Sequence, residues 1–285
     1  MRGRLTGPAT GFVPPAVGLA LGLAVVSTSS SLGTAPWLLW APLAVGLTTA
    51  AGALFVYGFH RWADLVAMHP VRVRDVAIPT ATVAIVAVLG INVTWLLPGA
   101  ARTNWRNSVL LTVSLLAAIP ASGAMYGVRL IASKSHLIPT AGGQLELLLG
   151  LRRLLQRLLA AVGSLVALIT LQGGALLALE RSMHTAFGAR PPQYVLVFGA
   201  TGSLLVALVY VPGWTALQRH GQRLCDELFP MRSLGEASAI LSTAEDRQKL
   251  EMVLGVDRSV IADMQTGLII FAPLVASAAS VLLPH

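Results

Sequence analysis

Charged residues are scarce in this chain, and cysteine is almost absent. Only 11% of its 285 residues are Asp, Glu, Lys or Arg, and the mean hydropathy is +0.74. This composition excludes the soluble classes of protein, in which about a quarter of the residues are charged. Because Cys225 is the only cysteine, an intramolecular disulfide is excluded as well.

Motifs that would name a chemistry are also missing. The sequence has no Walker-type glycine loop and no CxxC pair. All six histidines fall outside the apolar segments, so an intramembrane serine protease lacks its base. His60 and Asp64 are spaced i, i+4, with His69 nearby, but a catalytic zinc site requires three protein ligands and groups that orient them. We therefore expect no cofactor, no metal and no enzyme activity.

What the chain has instead is seven apolar segments, each of about the 20 residues that cross a hydrocarbon core of about 30 Å. None contains an ionised residue near its middle. The predicted spans are Val13–Leu32, Pro36–Gly58, Val76–Leu97, Val109–Val128, Leu158–Leu179, Tyr194–Trp214 and Thr266–Leu283. The predicted fold class is an all-α polytopic membrane protein, a bundle of about seven transmembrane helices.

The first apolar segment also has features of a removable signal peptide. It follows two arginines, and the small residues Gly33-Thr34-Ala35 resemble a cleavage site. Because Pro36 comes directly after them and disfavours cleavage, we expect the segment to be retained as the first span.

The distribution of Lys and Arg predicts the orientation of the spans. Sixteen of the twenty fall on one side, and Arg102, Arg106, Arg181 and Arg190 fall on the other. Cytoplasmic segments retain basic residues, so the amino terminus is predicted to be cytoplasmic. Tryptophan and tyrosine residues cluster at the span ends, where membrane interfaces favour them. The expected location is the plasma membrane, and the compact loops and Ala/Leu/Arg-rich composition favour a bacterial inner membrane.

Three regions are predicted along the chain: a transmembrane bundle with six spans over 1–216, a cytoplasmic helical segment over 217–263, and a last transmembrane helix over 264–285. Helical leucine patterns begin near Gly143 and continue past Trp214 on the cytoplasmic side, which predicts a stalk of two antiparallel helices. Within the cytoplasmic segment, a capping box at 242–245 predicts the start of a helix that ends at Leu254, before Gly255.

Six residues are candidates for function. Asn92 and Gln172 are the deepest polar side chains, and Asp263 lies near the inner end of the last span. Such residues line pores in some membrane proteins, but more often they make hydrogen bonds between helices, which is the interpretation favoured here. Leu217, Leu224 and Leu228 share one helix face and are predicted to dock a partner.

These observations favour a non-catalytic scaffold, regulator or complex subunit, with a protein partner or a second copy of the chain bound at the cytoplasmic segment. The alternative is a channel or facilitative transporter, for which the Gly173-Gly174 pair beside Gln172 is the main argument. The basic inner rim is explained by the orientation signal, or else it binds anionic lipids of the bilayer. Because its arginines are spread over the membrane rims, no nucleic-acid partner is expected.

Overall fold

The computed structural model describes residues 11–68, 73–93, 105–134, 140–185, 193–230 and 237–255. Within these ranges the chain forms seven α-helices and no strand. The helices are α1 (Val13–Ser27), α2 (Ala35–Met68), α3 (Val73–Val93), α4 (Trp105–Ala132), α5 (Ala141–Ser182), α6 (Gln193–Leu228) and α7 (Ala237–Leu254).

Four of these helices, α2, α4, α5 and α6, are long and apolar enough to cross a membrane, and α1 is apolar but shorter. The longest, α5, has 42 residues, which at 1.5 Å per residue is about 63 Å, twice the thickness of a hydrocarbon core. Together the four helices indicate a helical membrane protein, in agreement with the predicted fold class. The count of seven spans stays a prediction, since Thr266–Leu283 lies outside the described residues.

The helices pack around α2 and α4 as a single bundle. α2 contacts α1, α4 and α5, while α4 also contacts α3, α5 and α6. α5 pairs with α6, and α7 lies against both of them. One hydrophobic cluster of buried side chains extends through the bundle, with Trp40, Leu65, Met125 and Leu158 among its fully buried members.

Small residues allow α2 to approach its neighbours at backbone distance. Gly18 and Gly22 of α1 lie against α2 at Thr48, so close that a Cβ at either glycine would collide with α2. Further along α2, a Cβ at Gly58 would lie 2.5 Å from the backbone nitrogen of Ala121 in α4. Glycines at these positions therefore allow close helix packing at both contacts of α2, with α1 and with α4.

The first two helices form an antiparallel hairpin, but α1 ends at Ser27 rather than at the predicted span end, Leu32. A run of serines and threonines follows, and the hydroxyls of Ser27 and Thr28 donate to backbone carbonyls three residues earlier. These local bonds compete with helix continuation. Gly33 then takes a left-handed conformation, with φ +81°, and lets the chain turn into α2.

Two further helix ends differ from the sequence-based expectation. α2 continues past the predicted span end at Gly58 to Met68, because Leu65 is fully buried and keeps this part of the helix on the core. α7 begins at Ala237, so the residues of the predicted capping box lie inside the helix. The predicted end of α7 is confirmed, with Gly255 at φ +60° directly after Leu254.

Candidate functional site

Beyond the bundle, α5 and α6 run on side by side at the inner end, the end predicted to face the cytoplasm. We call residues 141–157 of α5 and 214–228 of α6 the stalk. Leu148, Leu151 and Leu155 on α5 are buried, and so are Leu217 and Leu224 on α6. All five belong to the same hydrophobic cluster as the bundle. This agrees with the predicted packing of the two extensions through leucine faces.

The three leucines predicted to dock a partner are not equally accessible. Leu217 is 9% exposed and Leu224 is 3% exposed, whereas Leu228, at the end of α6, is 43% exposed. The first two are covered by the chain itself, so a partner would reach them only after the stalk had opened. α6 also crosses the predicted domain boundary at 216/217 without a break.

α7 is fastened to the stalk through its carboxyl end. The guanidinium of Arg152 on α5 donates a hydrogen bond to the carbonyl of Leu254, the last residue of α7. A cation at this position satisfies a carbonyl that the helix leaves without a partner and favours the negative end of its dipole. Leu254 is buried and, with Trp214 and Leu217 of α6, lines a small cleft below Arg152. No sequence pattern predicts this contact, because the two residues are 102 positions apart.

A second attachment joins α7 to α6 through Arg247. Its Nη2 lies 2.8 Å from Oδ1 of Asp226, and its Nε donates to Oε1 of Glu251 at 2.7 Å. The hydrogen bond with Glu251 raises the pKa of the Arg247 guanidinium, so the group stays charged at every physiological pH. Because these side chains are partly exposed, each pair contributes at most about 1 kcal/mol. Their effect is to fix the orientation of α7 on the stalk.

The outer face of α7 carries apolar side chains with nothing over them among the described residues. Leu241 is 67% exposed, and Met252 and Val253 are more than half exposed. Leu241 and Met252 are eleven residues apart and therefore lie on the same side of the helix, three turns from each other. We call Leu241, Met252 and Val253 the outer α7 patch. It is an accessible apolar surface within the described part of the chain.

Inside the bundle, Gln172 of α5 is completely buried. Neither its Oε1 nor its Nε2 has a hydrogen-bond partner among the described residues. The interhelical hydrogen bond that the sequence favoured for this residue is therefore absent from the described part of the chain. A buried amide left in this state costs about 1–3 kcal/mol, and it marks the most unusual polar position within the described bundle.

The other two polar candidates cannot be placed beside Gln172. Asn92 falls in α3, but its side chain lies outside the described part of the structure. Asp263 lies outside the described residues altogether.

A carboxylate that the sequence analysis passed over lies at the outer end of α5. Glu180, one residue beyond the predicted span, is only 4% exposed. The hydroxyl of Thr185 donates to Glu180 Oε2 at 2.7 Å and also lies 3.1 Å from the backbone oxygen of Glu180. The chain folds back over the carboxylate as it leaves the helix, and this closes the outer end of α5. The sequence feature that could have identified Glu180 is an acidic residue directly after a predicted span, next to Arg181.

Arg106 has a structural role at the same outer end of the bundle. From the first turn of α4, its Nη2 donates to the backbone oxygen of Thr28 at 2.6 Å, and its Nε donates to the Thr28 hydroxyl at 3.2 Å. The arginine therefore satisfies the carboxyl end of α1 and ties it to α4.

An apolar cavity of about 110 Å³ lies between α3, α4, α5 and α6. Two of its hydroxyl groups, on Ser114 and Thr201, donate to carbonyls of their own helices, four residues earlier. Thr80 Oγ1 has no described partner. The cavity surface is therefore almost entirely hydrocarbon, and it would accept a lipid chain more readily than an ion.

His60 and Asp64, the pair with the i, i+4 spacing of metal ligands, make local contacts instead. Nδ1 of His60 lies 2.9 Å from the carbonyl oxygen of Val56, and Asp64 pairs with Arg61 at 3.2 Å. Within the described ranges no group of three His, Cys, Asp or Glu residues is placed to hold a metal ion.

Comparison of the chain with protein-family models, with curated proteins and with solved structures found no match.

Proposed function

We propose that this chain is a non-catalytic multi-pass membrane protein of the plasma membrane, of bacterial inner-membrane type, with about seven spans and a cytoplasmic amino terminus. In this proposal it serves as a scaffold, regulator or subunit of a membrane complex. Its stalk unit, formed by the stalk and α7, presents a surface to a protein partner in the cytoplasm.

The observation that carries the proposal is the way α7 is held. Arg152 fastens the end of α7, and Arg247 fixes its middle to α6. A helix held at two points loses little further freedom when a partner binds it, and this preorganisation favours affinity. The buried leucines of the stalk belong to the same hydrophobic cluster as the bundle, so a force on α7 is transmitted to the membrane helices.

The binding surface in this proposal is the outer α7 patch rather than the buried Leu217 and Leu224. Apolar side chains grouped on a surface helix are typical of interaction sites. The charges around the patch are mixed, and Lys249 and Asp246 already pair with each other at 3.1 Å. The patch therefore combines apolar side chains with polar and charged neighbours, as protein interfaces commonly do.

Met252→Asp tests this surface. A charge at the centre of an interface is expected to weaken binding by about 2 kcal/mol, or about 30-fold. Native mass spectrometry of the chain, gently extracted from its own membrane, should show a second polypeptide at fixed stoichiometry with the wild type and not with the variant. The matched control is Gln222→Asp, which adds the same charge to an exposed position on α6, outside the patch. A wild-type chain that comes out alone, or a variant that keeps its partner, would contradict the proposal.

A channel or facilitative transporter is the second candidate function, and the buried, unpaired Gln172 is the observation that favours it. Paired polar groups usually hold a bundle together, whereas an unpaired one inside the membrane is retained for another reason. The Gly173-Gly174 pair beside it leaves space, since a Cβ at Gly173 would meet nothing within 4 Å.

Gln172→Leu distinguishes the two functions. Because the amide has no described partner, its removal is expected to stabilise the bundle by about 1 kcal/mol. The control is Thr170→Val, since the buried hydroxyl of Thr170 already donates to Val166. In reconstituted vesicles, a scaffold shows no ion or glycerol flux with either chain. If the wild type shows a flux, and Gln172→Leu changes that flux while Thr170→Val does not, the chain is a facilitator rather than a scaffold.

A further inference from the structure

A large cavity opens at the inner ends of α3, α4 and α6, with a volume of about 600 Å³. It lies within the range of sites that hold a small ligand. Four arginines line it: Arg74 from the first turn of α3, Arg129 from the last turns of α4, and Arg219 and Arg223 from successive turns of α6. The spacing of the last two, i and i+4, places both on the same side of α6. We call this space the arginine cavity.

The arginine cavity carries an uncompensated positive charge. Among the described residues, Asp75 is the one acidic side chain that lines it, and His220 lines it as well. No salt bridge joins any of the four guanidinium groups to a described carboxylate, whereas Arg61 has one such partner and Arg247 has two. With His220 neutral, the described lining carries a net charge of +3. Like charges gathered in one concave site repel each other, and an anion bound between them removes this repulsion.

The signal for membrane orientation does not account for this gathering. That rule requires basic residues on the cytoplasmic side of each span, but it is indifferent to where they lie around the bundle. Arg74, Arg129 and Arg219 are far apart in the sequence, and the fold brings them to one cavity. By contrast, Arg153 and Arg157, on the stalk part of α5, are exposed and do not line it.

The chemistry of the arginine cavity fits a phosphate group. The planar guanidinium donates two parallel hydrogen bonds to phosphate oxygens, and several arginines together hold a doubly charged or diester phosphate. The rest of the lining includes Ile78, Pro79 and Leu130, so the wall of the cavity is apolar beside its charges. Tyr126 lies one turn before Arg129, and Trp214 lies just before the α6 part of the cavity, which matches the depth where aromatic residues mark a membrane interface.

We propose that the arginine cavity binds the phosphate of an anionic phospholipid headgroup in the inner leaflet. Basic pockets between helices on the cytoplasmic side are suited to such headgroups. The same chemistry would accept a soluble phosphate compound, so the experiment has an arm for each source. The inference needs no protein partner and therefore stands apart from the scaffold role.

The test compares two double variants with the same loss of charge. Arg129→Gln with Arg219→Gln removes two arginines of the cavity, and Arg153→Gln with Arg157→Gln removes two exposed arginines outside it. Each protein is placed in nanodiscs of phosphatidylcholine with or without phosphatidylglycerol, and the lipids that stay bound are identified by native mass spectrometry. We expect wild type and the control to retain phosphatidylglycerol, and the cavity variant to retain it about 30-fold less.

Inorganic phosphate distinguishes the two sources. If phosphate displaces no phosphatidylglycerol from the wild type, the headgroup is the ligand. A different result would be that phosphate binds the wild type and not the cavity variant, while both proteins retain phosphatidylglycerol equally. In that case the site belongs to a soluble phosphate compound and the lipid assignment is wrong. Equal loss of phosphatidylglycerol in both double variants, or unchanged binding of both phosphatidylglycerol and inorganic phosphate in the cavity variant, would overturn the cavity as a binding site. All four arginines are exposed, so the variants should fold; if the cavity variant melts early, Arg74→Gln and Arg223→Gln, each against Arg153→Gln, replace it.

Discussion

Gly58→Ala is expected to lower the free energy of unfolding by about 3 kcal/mol, the upper part of the range for overpacked cores. A Cβ at this position would lie 2.5 Å from the backbone nitrogen of Ala121 and 2.9 Å from its Cα. Both atoms belong to the main chain of α4, so no side chain can turn away to make room. The helices α2 and α4 must separate, and with them the centre of the bundle. Unfolding by SDS titration, followed by tryptophan fluorescence, measures the loss.

Gly46→Ala is the matched control on the same helix. Gly46 is exposed, and a Cβ there would meet nothing within 4 Å. The same substitution should therefore be neutral or stabilise the helix by up to about 1 kcal/mol, because alanine favours the helix over glycine. Two opposite signs from one chemical change would locate the effect in the α2–α4 contact. Equal effects at both positions would show that the two backbones do not approach as described.

Arg152→Met is expected to release α7 from the stalk. The variant keeps the length of the side chain but loses the donor to the carbonyl of Leu254 and the charge at the end of the helix. A hydrogen bond to a charged group contributes about 1.5–3 kcal/mol, so amide protection in α7 should fall by about 10- to 100-fold. Hydrogen–deuterium exchange of peptides from 237–255 measures this directly. Peptides from α2 and α4 should keep their protection.

The control for this release is the neighbouring residue. Arg153→Met removes the same charge from an exposed position that makes no described contact with α7. Its exchange pattern should match that of the wild type. If α7 is equally protected in both variants, Arg247 and the apolar contacts of Leu254 hold the helix without the cap, and the stalk unit is less dependent on Arg152 than we infer. If α7 opens in both, the effect comes from charge in general.

Much of the bundle could be predicted because its signals are local. Gly18 and Gly22 are four residues apart, so one helix turn places them on the same face, and the structure packs that face against α2. The leucine pattern that continues past Trp214 likewise predicted that α6 extends beyond the membrane, and α6 does run to Leu228. In both cases the period of the helix alone decides which side chains are neighbours.

The parts that could not be predicted depend on which helix covers which face. The pattern at Leu217 and Leu224 shows an apolar stripe, but a partner and another helix of the same chain would bury it equally well. Here the chain itself covers it. The start of α7 was missed because Ser-x-x-Glu also occurs inside exposed helices, and Ala237 and Ala239 extend the helix backwards. Likewise, the unpaired state of Gln172 depends on its neighbours in space, which no helical period reveals.

The length of α5 has a mechanical consequence. About half of this continuous helix extends beyond the thickness of a hydrocarbon core, and the end of α7 is fastened to that half by Arg152. A membrane helix adapts to bilayer thickness by tilting. Arg152 lies six residues, about 9 Å, beyond the predicted end of the span at Leu158, and Ala141 lies about 25 Å beyond it. For a rigid rod, a change in tilt of about 10° therefore moves Arg152 sideways by about 1.6 Å and the free end of α5 by about 4 Å. A change in the tilt of α5 would thus shift the attached end of α7 by a small part of one helical turn.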